Sequence, residues 1–339
     1  MKCDIVIPVW NNKEVTQRCL ESIFDNTHCE YRLIIIDNAS DASTRQYLDQ
    51  VKLSRPDKVL LIANEENVGF TKAVNQGIKV SSSDYVCINN NDIIVSDGWL
   101  EEMIYVAEGH SDIGIVNPSS NFGKRKPWGK TFKQYANSRT FGKHGQYSET
   151  ASPVGFCYLI KREVIDKIGL LDEGYSPGYF EDTDYALRAK AAGYKSVFAN
   201  GAFVFHLERA SFKKRGFNPL FKQSEERFYS LHKRPRRILY VLVDPAVTFS
   251  QRIKEDSYNF AKDANWVSIF LKRSAPNIEL YNHTYIRVFR FADIFFNIAV
   301  IWKVLFKKKK FSKILVDNEG FAQRFRMLKR YHKAQVEVL

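Results

Sequence analysis

At 339 residues the chain has room for one large or two medium domains, and its 45% hydrophobic content is ordinary for a globular protein with a sizeable core. Its five cysteines, Cys3, Cys19, Cys29, Cys87 and Cys157, are odd in number and form no CxxC pair, which argues against a disulfide framework or zinc site and for a reducing compartment. The net charge of +13 is uneven: from Leu207 to Leu339 there are 28 Lys+Arg and 12 Asp+Glu, against 23 and 26 in the first 206 residues. The basicity therefore belongs to the tail. That predicts a boundary near residues 207–237 and a polyanionic partner for the tail: a membrane surface, a nucleic acid or a charged glycan.

In chain order, Cys3 to Val9 reads as a buried strand ending at Trp10-Asn11-Asn12. The run is broken by Pro8 and is too short for a signal-peptide core, so a cytoplasmic start is expected. Val15, Cys19 and Ile23, with Leu20 and Phe24 beside them, then follow helical spacing, with Asn12 as an N-cap. Tyr31 to Ile36 is a second strand, closed by Asp37-Asn38-Ala39-Ser40. Val59 to Ala63 is a third, closed by Asn64-Glu65-Glu66-Asn67. Gly69 to Lys79 reads as a helix. Tyr85 to Ile88 is a short apolar run stopping at Asn89-Asn90-Asn91-Asp92, with Ile93 to Val95 after it. Trp99 to Glu108 is helical and Ile113 to Val116 is a strand.

Continuous apolar strands alternating with helices predict an α/β, doubly wound, mostly parallel sheet. Each strand ends in Asn, Asp or Ser, so polar groups gather at one edge, where ligands of such sheets bind. Asp92 among asparagines suits a polar turn, and it equally suits a hard divalent cation holding phosphates. With no GxGxxG after the first strand and no GxxxxGK[ST], the chain lacks the dinucleotide fingerprint and the P-loop.

Pro118 to Ser152, rich in Gly, Lys, Ser and aromatics, predicts a flexible loop over the sheet edge. Its aromatic faces serve either sugar stacking or local packing. Val154 to Lys161 returns as a strand and Arg162 to Ile168 as a short helix. Glu181, Asp182 and Asp184 then open a helix running to Ala192. Carboxylates there favour the helix dipole, and like charges this close raise one another's pKa, which suits a general base. Ala202 to His206 is a strand ending in a histidine, structural or metal-binding.

These residues together resemble a known family. The sequence runs through Asp4 to Asn11, Asp37-Asn38-Ala39-Ser40, Asn67-Val68-Gly69-Phe70 with Asn75 and Gly77, Asn89-Asn90-Asn91-Asp92, Phe180-Glu181-Asp182-Thr183-Asp184 with Leu187-Arg188 and Ala192-Gly193-Tyr194, and His206. Over roughly residues 3–210 the chain looks like a family 2 glycosyltransferase of the GT-A fold, in the rhamnosyltransferase-like branch. The resemblance implies a Rossmann-like GT-A domain, taken here as 1–235, and metal-dependent inverting transfer of a sugar from a UDP-, dTDP- or GDP-sugar donor to a glycan or lipid-linked acceptor in surface polysaccharide biosynthesis. It places Pro8 and Asn11 in the nucleotide pocket, Asp37 on the base, and Asn67 and Lys72 near the base and phosphates. The metal motif falls on Asn90, Asn91 and Asp92, with Asn in place of the first acid. Asp92 and His206 would hold Mg2+ or Mn2+. Asp182 would be the base, with Glu181 beside it.

The tail, 236–339, is expected to be basic and mainly helical. Arg209, Lys213, Lys214 and Arg215 suggest a lid over the donor. In Phe291 to Phe306 a helical face of Phe291, Ile294, Phe295, Ile298, Ile301, Trp302, Leu305 and Phe306 precedes Lys307 to Lys310. At ~1.5 Å per residue the segment is too short to span a ~30 Å hydrocarbon core. It fits an interfacial helix on an anionic membrane surface, a core helix, or a homodimer contact. The location expected is cytoplasmic, peripheral on the inner face of the cell membrane. The competing reading is a non-catalytic polyanion- or nucleic-acid-binding protein, which accounts for the tail but leaves the Asp- and Asn-rich strand ends idle. Glycoside hydrolysis is disfavoured, since adjacent carboxylates on one segment cannot flank a bond from two sides.

Overall fold

β1 (Cys3–Val9), α1 (Lys13–Asn26), β2 (Tyr31–Asp37), α2 (Ala42–Ser54), β3 (Val59–Ala63), α3 (Phe70–Val80) and β4 (Tyr85–Asn89) alternate as the hydrophobic pattern requires. The computed structural model describes residues 2–122, 128–175, 178–207, 219–244 and 247–339. The chain divides into two units, Met1–His232 and Lys233–Leu339. Every residue of β1 is buried, because successive side chains feed two different cores. Ile5, Ile7 and Val9 join Leu33 and Ile35 on one face, while Val6 joins Ile34, Ile36, Val86 and Ile88 on the other.

The first unit continues with β5 (Ile93–Val95), α4 (Trp99–Glu108), β6 (Ile113–Ser120), α5 (Phe132–Thr140), β7 (Tyr147–Thr150), β8 (Cys157–Lys161), α6 (Arg162–Ile168), α7 (Glu181–Ala191), β9 (Lys195–His206) and α8 (Pro219–Leu231). The sheet order is β3-β2-β1-β4-β8-β6-β9-β5, with β7 on β9. Strands β1, β2, β3, β4, β6 and β9 run one way, and β8, β5 and β7 run against them. This is the expected GT-A arrangement. The reversed strands matter for the site. The start of β8 lies beside the end of β4, Asn89 opposite Cys157, and the start of β5 lies beside the end of β9, Ile93 opposite His206.

Two expectations need correction here. Pro118 to Ser152 is not one long loop: it holds the end of β6, the helix α5 opened by a Thr131/Gln134 capping box, and β7. Its pattern was hidden because α5 is short and polar, burying only Tyr135 and Ala136. Asn12 occupies the N-cap position of α1 in a left-handed conformation but makes no side-chain cap hydrogen bond. The cations expected to form a lid, Arg209, Lys213, Lys214 and Arg215, lie outside the described residues.

The second unit comprises β10 (Arg237–Leu242), α9 (Val247–Lys262), β11 (Trp266–Lys272), β12 (Ile286–Phe291), α10 (Phe296–Phe306), β13 (Lys313–Val316), α11 (Glu319–Met327), α12 (Lys329–His332) and β14 (Gln335–Val338). Helices are present as expected, but a parallel sheet in the order β12-β11-β10-β13-β14 organises them. The expected helical content is there, and the sheet adds to it: the second unit is a second α/β layer structure with a core on each sheet face. Strands of four to seven residues leave too short an apolar run to be told from helix by period alone. The predicted helix from Phe291 also starts later, because Phe291 ends β12.

Gly77 shows how tightly α3 lies on β1. A Cβ there would stand 2.4 Å from Val6 Cγ1. Gly→Ala in a helix ordinarily gains about 1 kcal/mol of propensity. Overpacking a dense core costs about 1–3 kcal/mol, so the clash wins. Gly77→Ala is expected to lower stability in urea unfolding; a neutral or stabilising result would contradict this packing.

Candidate active site

The sheet's carboxyl edge collects the polar strand ends. Asp92 leads into β5 and His206 ends β9, so the antiparallel register brings their side chains together, with Asp92 Oδ1 3.1 Å from His206 Nε2. Asp92 is buried and His206 partly so. His206 is fixed from two sides. Asn121 accepts from its backbone N–H and donates to its carbonyl, and the Phe156 ring stacks on the imidazole with centroids 4.7 Å apart.

Phe156 also accepts the N–H of Asn90 at 2.8 Å. Its neighbour Gly155 lies against the third element of the site. A Cβ at Gly155 would stand 2.8 Å from Asp182 Oδ2. One dipeptide therefore touches Asn90, His206 and Asp182. Asn117 on β6 holds that dipeptide in place, its amide donating to the carbonyls of Val154 at 2.9 Å and Cys157 at 2.6 Å. Sequence reading passed over Gly155, Phe156, Asn117 and Asn121. Gly155 and Phe156 were read as part of a strand from Val154, whereas β8 begins at Cys157, and their contacts come from strands far apart in the chain.

Asp182 and Glu181 open α7 after Tyr179 and Phe180, both left-handed at φ 74° and 69°. Non-glycine residues in that conformation carry strain that surrounding packing must hold, and Phe180 stacks on Phe228. Asp182 Oδ1 accepts the Thr183 N–H at 2.6 Å and its hydroxyl at 3.2 Å. Burial raises the Asp182 pKa against these donors. Glu181 is buried, and its Oε2 has no hydrogen-bond partner among the described residues. Burial, then the Asp182 charge, pushes Glu181 up to about 8. An unpartnered buried oxygen holds a proton far more cheaply than a charge. Both carboxyls are thus pushed toward the protonated form, Glu181 enough to hold its proton near neutral pH.

The remaining predicted residues fall on the same edge in varied settings. Pro8 is buried in β1. Asn11, left-handed at φ 58°, accepts the Asp41 N–H and takes a bond from its own N–H to Ser40 Oγ. It thereby ties the loop after β1 to the loop after β2. Asp37 is buried; its Oδ1 accepts the Ser40 N–H at 2.9 Å and its Oδ2 lies 3.7 Å from Arg45. Asn67 accepts from Asn38 Nδ2 and from the Gly69 N–H, shaping the turn into α3, and Lys72 is exposed in the first turn of that helix. Asn91 donates to Thr16 Oγ1 near the start of α1, and Asn90 is partly buried. Asp184 is occupied structurally by Arg188 at 2.9 Å and His232 at 2.8 Å. Trp10, 54% exposed at the end of β1, is a large aromatic at this edge that sequence reading did not single out.

The profile of Glycosyl transferase family 2 matches residues 4–169. The uncharacterized glycosyltransferase YwdF of Bacillus subtilis is 30% identical over 194 residues, spanning 56% of this chain and 68% of YwdF. The chain belongs to glycosyl transferase family 2. The uncharacterized protein y4gI of Sinorhizobium fredii is 26% identical over 224 residues, and there the match covers 61% of this chain but only 24% of the relative's length. Among solved structures, the mannosyltransferase PcManGT of Pyrobaculum calidifontis, in complex with GDP-Man and Mn2+, is similar at a TM-score of 0.51 and 17% identity, over 69% of this chain and 65% of that one. That likeness supports the GT-A fold of the family member described here.

The carboxyl pair has a thermodynamic signature. The folded chain keeps the Glu181 proton that the unfolded chain releases near pH 4.5. Stability must then fall as pH rises from about 4.5 to about 8, by at most about 1.4 kcal/mol per pH unit per retained proton. Asp182 is shifted in the same direction and adds to the slope. Glu181→Gln is expected to flatten the decline in pH-dependent urea unfolding. An unchanged slope would mean that Glu181 is ionised in the folded protein.

Proposed function

We propose that the protein is an inverting glycosyltransferase that moves a sugar from a nucleoside diphosphate donor to a hydroxyl of a glycan or lipid-linked glycan, in surface polysaccharide biosynthesis at the inner face of the cell membrane. The observation that carries this reading is the Gly155-Phe156 dipeptide. It sets a carboxylate with a buried protonated neighbour beside an Asp–His pair, at the edge where this fold takes its ligands.

Asp92 and His206 fit a divalent cation by the chemistry of their donors: one carboxylate oxygen and one imidazole nitrogen, 3.1 Å apart and largely screened from water. Among the described residues no group of three or more His, Cys, Asp or Glu could hold a metal. With Asn90 in place of an acid, the pair suits Mg2+ or Mn2+ completed by diphosphate oxygens and water. A bound ion supplies neutralisation of the charge developing on the departing diphosphate. The Asn90-Asn91-Asp92 pattern supports placement in the rhamnosyltransferase-like branch.

The chain's own residues do the rest. Asp182, carrying the charge of the carboxyl pair, accepts the proton of the acceptor hydroxyl as that oxygen attacks the anomeric carbon from the face opposite the leaving group. Glu181 keeps its proton and leaves the negative charge on Asp182. Thr183 and Gly155 hold the Asp182 carboxylate in one orientation. Trp10, Asn11 and Asn67 are offered to the nucleoside, and the exposed Lys72 to its phosphates.

Asp182→Asn keeps the shape but removes the base. It is expected to reduce turnover about 10²–10⁴-fold while leaving calorimetric donor affinity unchanged. Normal turnover by this variant would remove Asp182 from the role.

A further inference from the structure

The second unit holds 22 Lys+Arg and 9 Asp+Glu, a net of +13, which is the charge of the whole chain. Within it, α10 carries apolar side chains on its buried face and on the face opposite, with the exposed Asn297 and Lys303 at the flanks between them. Phe296, Val300 and Val304 are sealed in the core. The opposite side carries Ile298, Trp302 and Phe306, with Ile294 and Phe295 just before the helix, all 60–85% exposed. An exposed cluster of large apolar side chains on the outward face of a helix marks a surface that something covers. Trp302 packs on Phe306 with centroids 5.7 Å apart, and α12 beside α10 adds the exposed Tyr331.

The patch has a cationic border. Lys307 to Lys310 follow the helix directly. Lys310 Nζ donates to the Leu305 carbonyl at its last turn, and Lys307 lies 4.2 Å over the Phe311 ring. Burial, then the nearby Arg237, Lys303 and Arg287 charges, lower the Lys307 pKa, so these cations crowd one another. An anion placed there relieves that repulsion.

We infer that the exposed face of α10, with Lys307 to Lys310, docks the second unit on an anionic lipid surface. The charge favours this occupant. A second copy of the chain would bring another +13 unit against the same cations, whereas a layer of acidic headgroups over acyl chains offers both complements at once. Trp302 and Tyr331 are side chains suited to the headgroup boundary. The helix lies in the interface rather than crossing it: among the described residues no helix is long and apolar enough to span a membrane. The inference concerns the second unit alone and stands independently of the transfer chemistry.

The test is co-sedimentation of the full chain with phosphatidylglycerol-containing vesicles and with pure phosphatidylcholine vesicles. The two variants are Ile298→Ser/Trp302→Ser/Phe306→Ser, and Gln at each of Lys307 to Lys310. The chain is expected to sediment with the anionic vesicles and to be released by salt. Each lysine near such a surface is worth about fivefold in affinity, and the triple variant loses the apolar area the interface would bury, so each variant should bind at least about tenfold more weakly. The triple variant's melting temperature should be unchanged, because its altered side chains lie on the surface, and nucleotide binding should be unchanged in both variants. Wild-type protein left in the supernatant, or variants that bind equally well, would overturn the inference. So would a self-association lost in the triple variant without any vesicle binding, which would identify a second copy as the occupant.

Discussion

The site depends on how one buried amide spends its two hydrogens. Asn117 Nδ2 donates to the Val154 and Cys157 carbonyls, on either side of Gly155-Phe156. Its Oδ1 has no partner among the described residues, a burial cost of about 1–3 kcal/mol that a neutral packing residue would avoid. What that cost secures is position. Gly155 is brought so close to Asp182 that no side chain fits between them, and Phe156 is laid flat on His206. Three chain segments separated by dozens of residues meet through that dipeptide.

The reversed strands explain why they meet at this edge. In a purely parallel sheet the segment before β8 would emerge at the amino edge, away from Asp92. Because β8 runs against β4, its start lies beside Asn89, and because β5 runs against β9, Asp92 lies beside His206. The carboxyl pair at the start of α7 uses burial in the same constructive way. Burial favours the protonated form of Glu181, while its neighbour Asp182 accepts two hydrogen bonds from Thr183.

Much of the first unit was legible in the sequence because its strands are continuous apolar runs stopped by Asn and Asp. The run from Tyr85 to Asp92 showed both the strand and the polar turn at its end. Pairings of distant segments were not legible. Nothing in Gly155, Asn117 or Asn121 announces its partner until β6, β8 and β9 are assembled. The exposure of Trp10 likewise became visible only once the edge was built. In the second unit, strands such as Lys313–Val316 are too short to declare a period, and the long apolar stretch ending at Phe306 drew the eye to helix. That stretch proved to be both a core helix and an exposed face, because it carries apolar residues on two opposite sides, with Asn297 and Lys303 between them.

The central claim is that Asp92 and His206 share a divalent cation with a nucleoside diphosphate. Calorimetric titration of UDP, GDP and dTDP, each with and without Mn2+, tests it most directly. The account predicts that one nucleotide binds strongly only when Mn2+ is present, and that Mn2+ alone binds weakly, because two protein ligands leave the ion incomplete. Nucleotide binding indifferent to the metal, or no nucleotide binding beside tight binding of RNA or heparin, would contradict it.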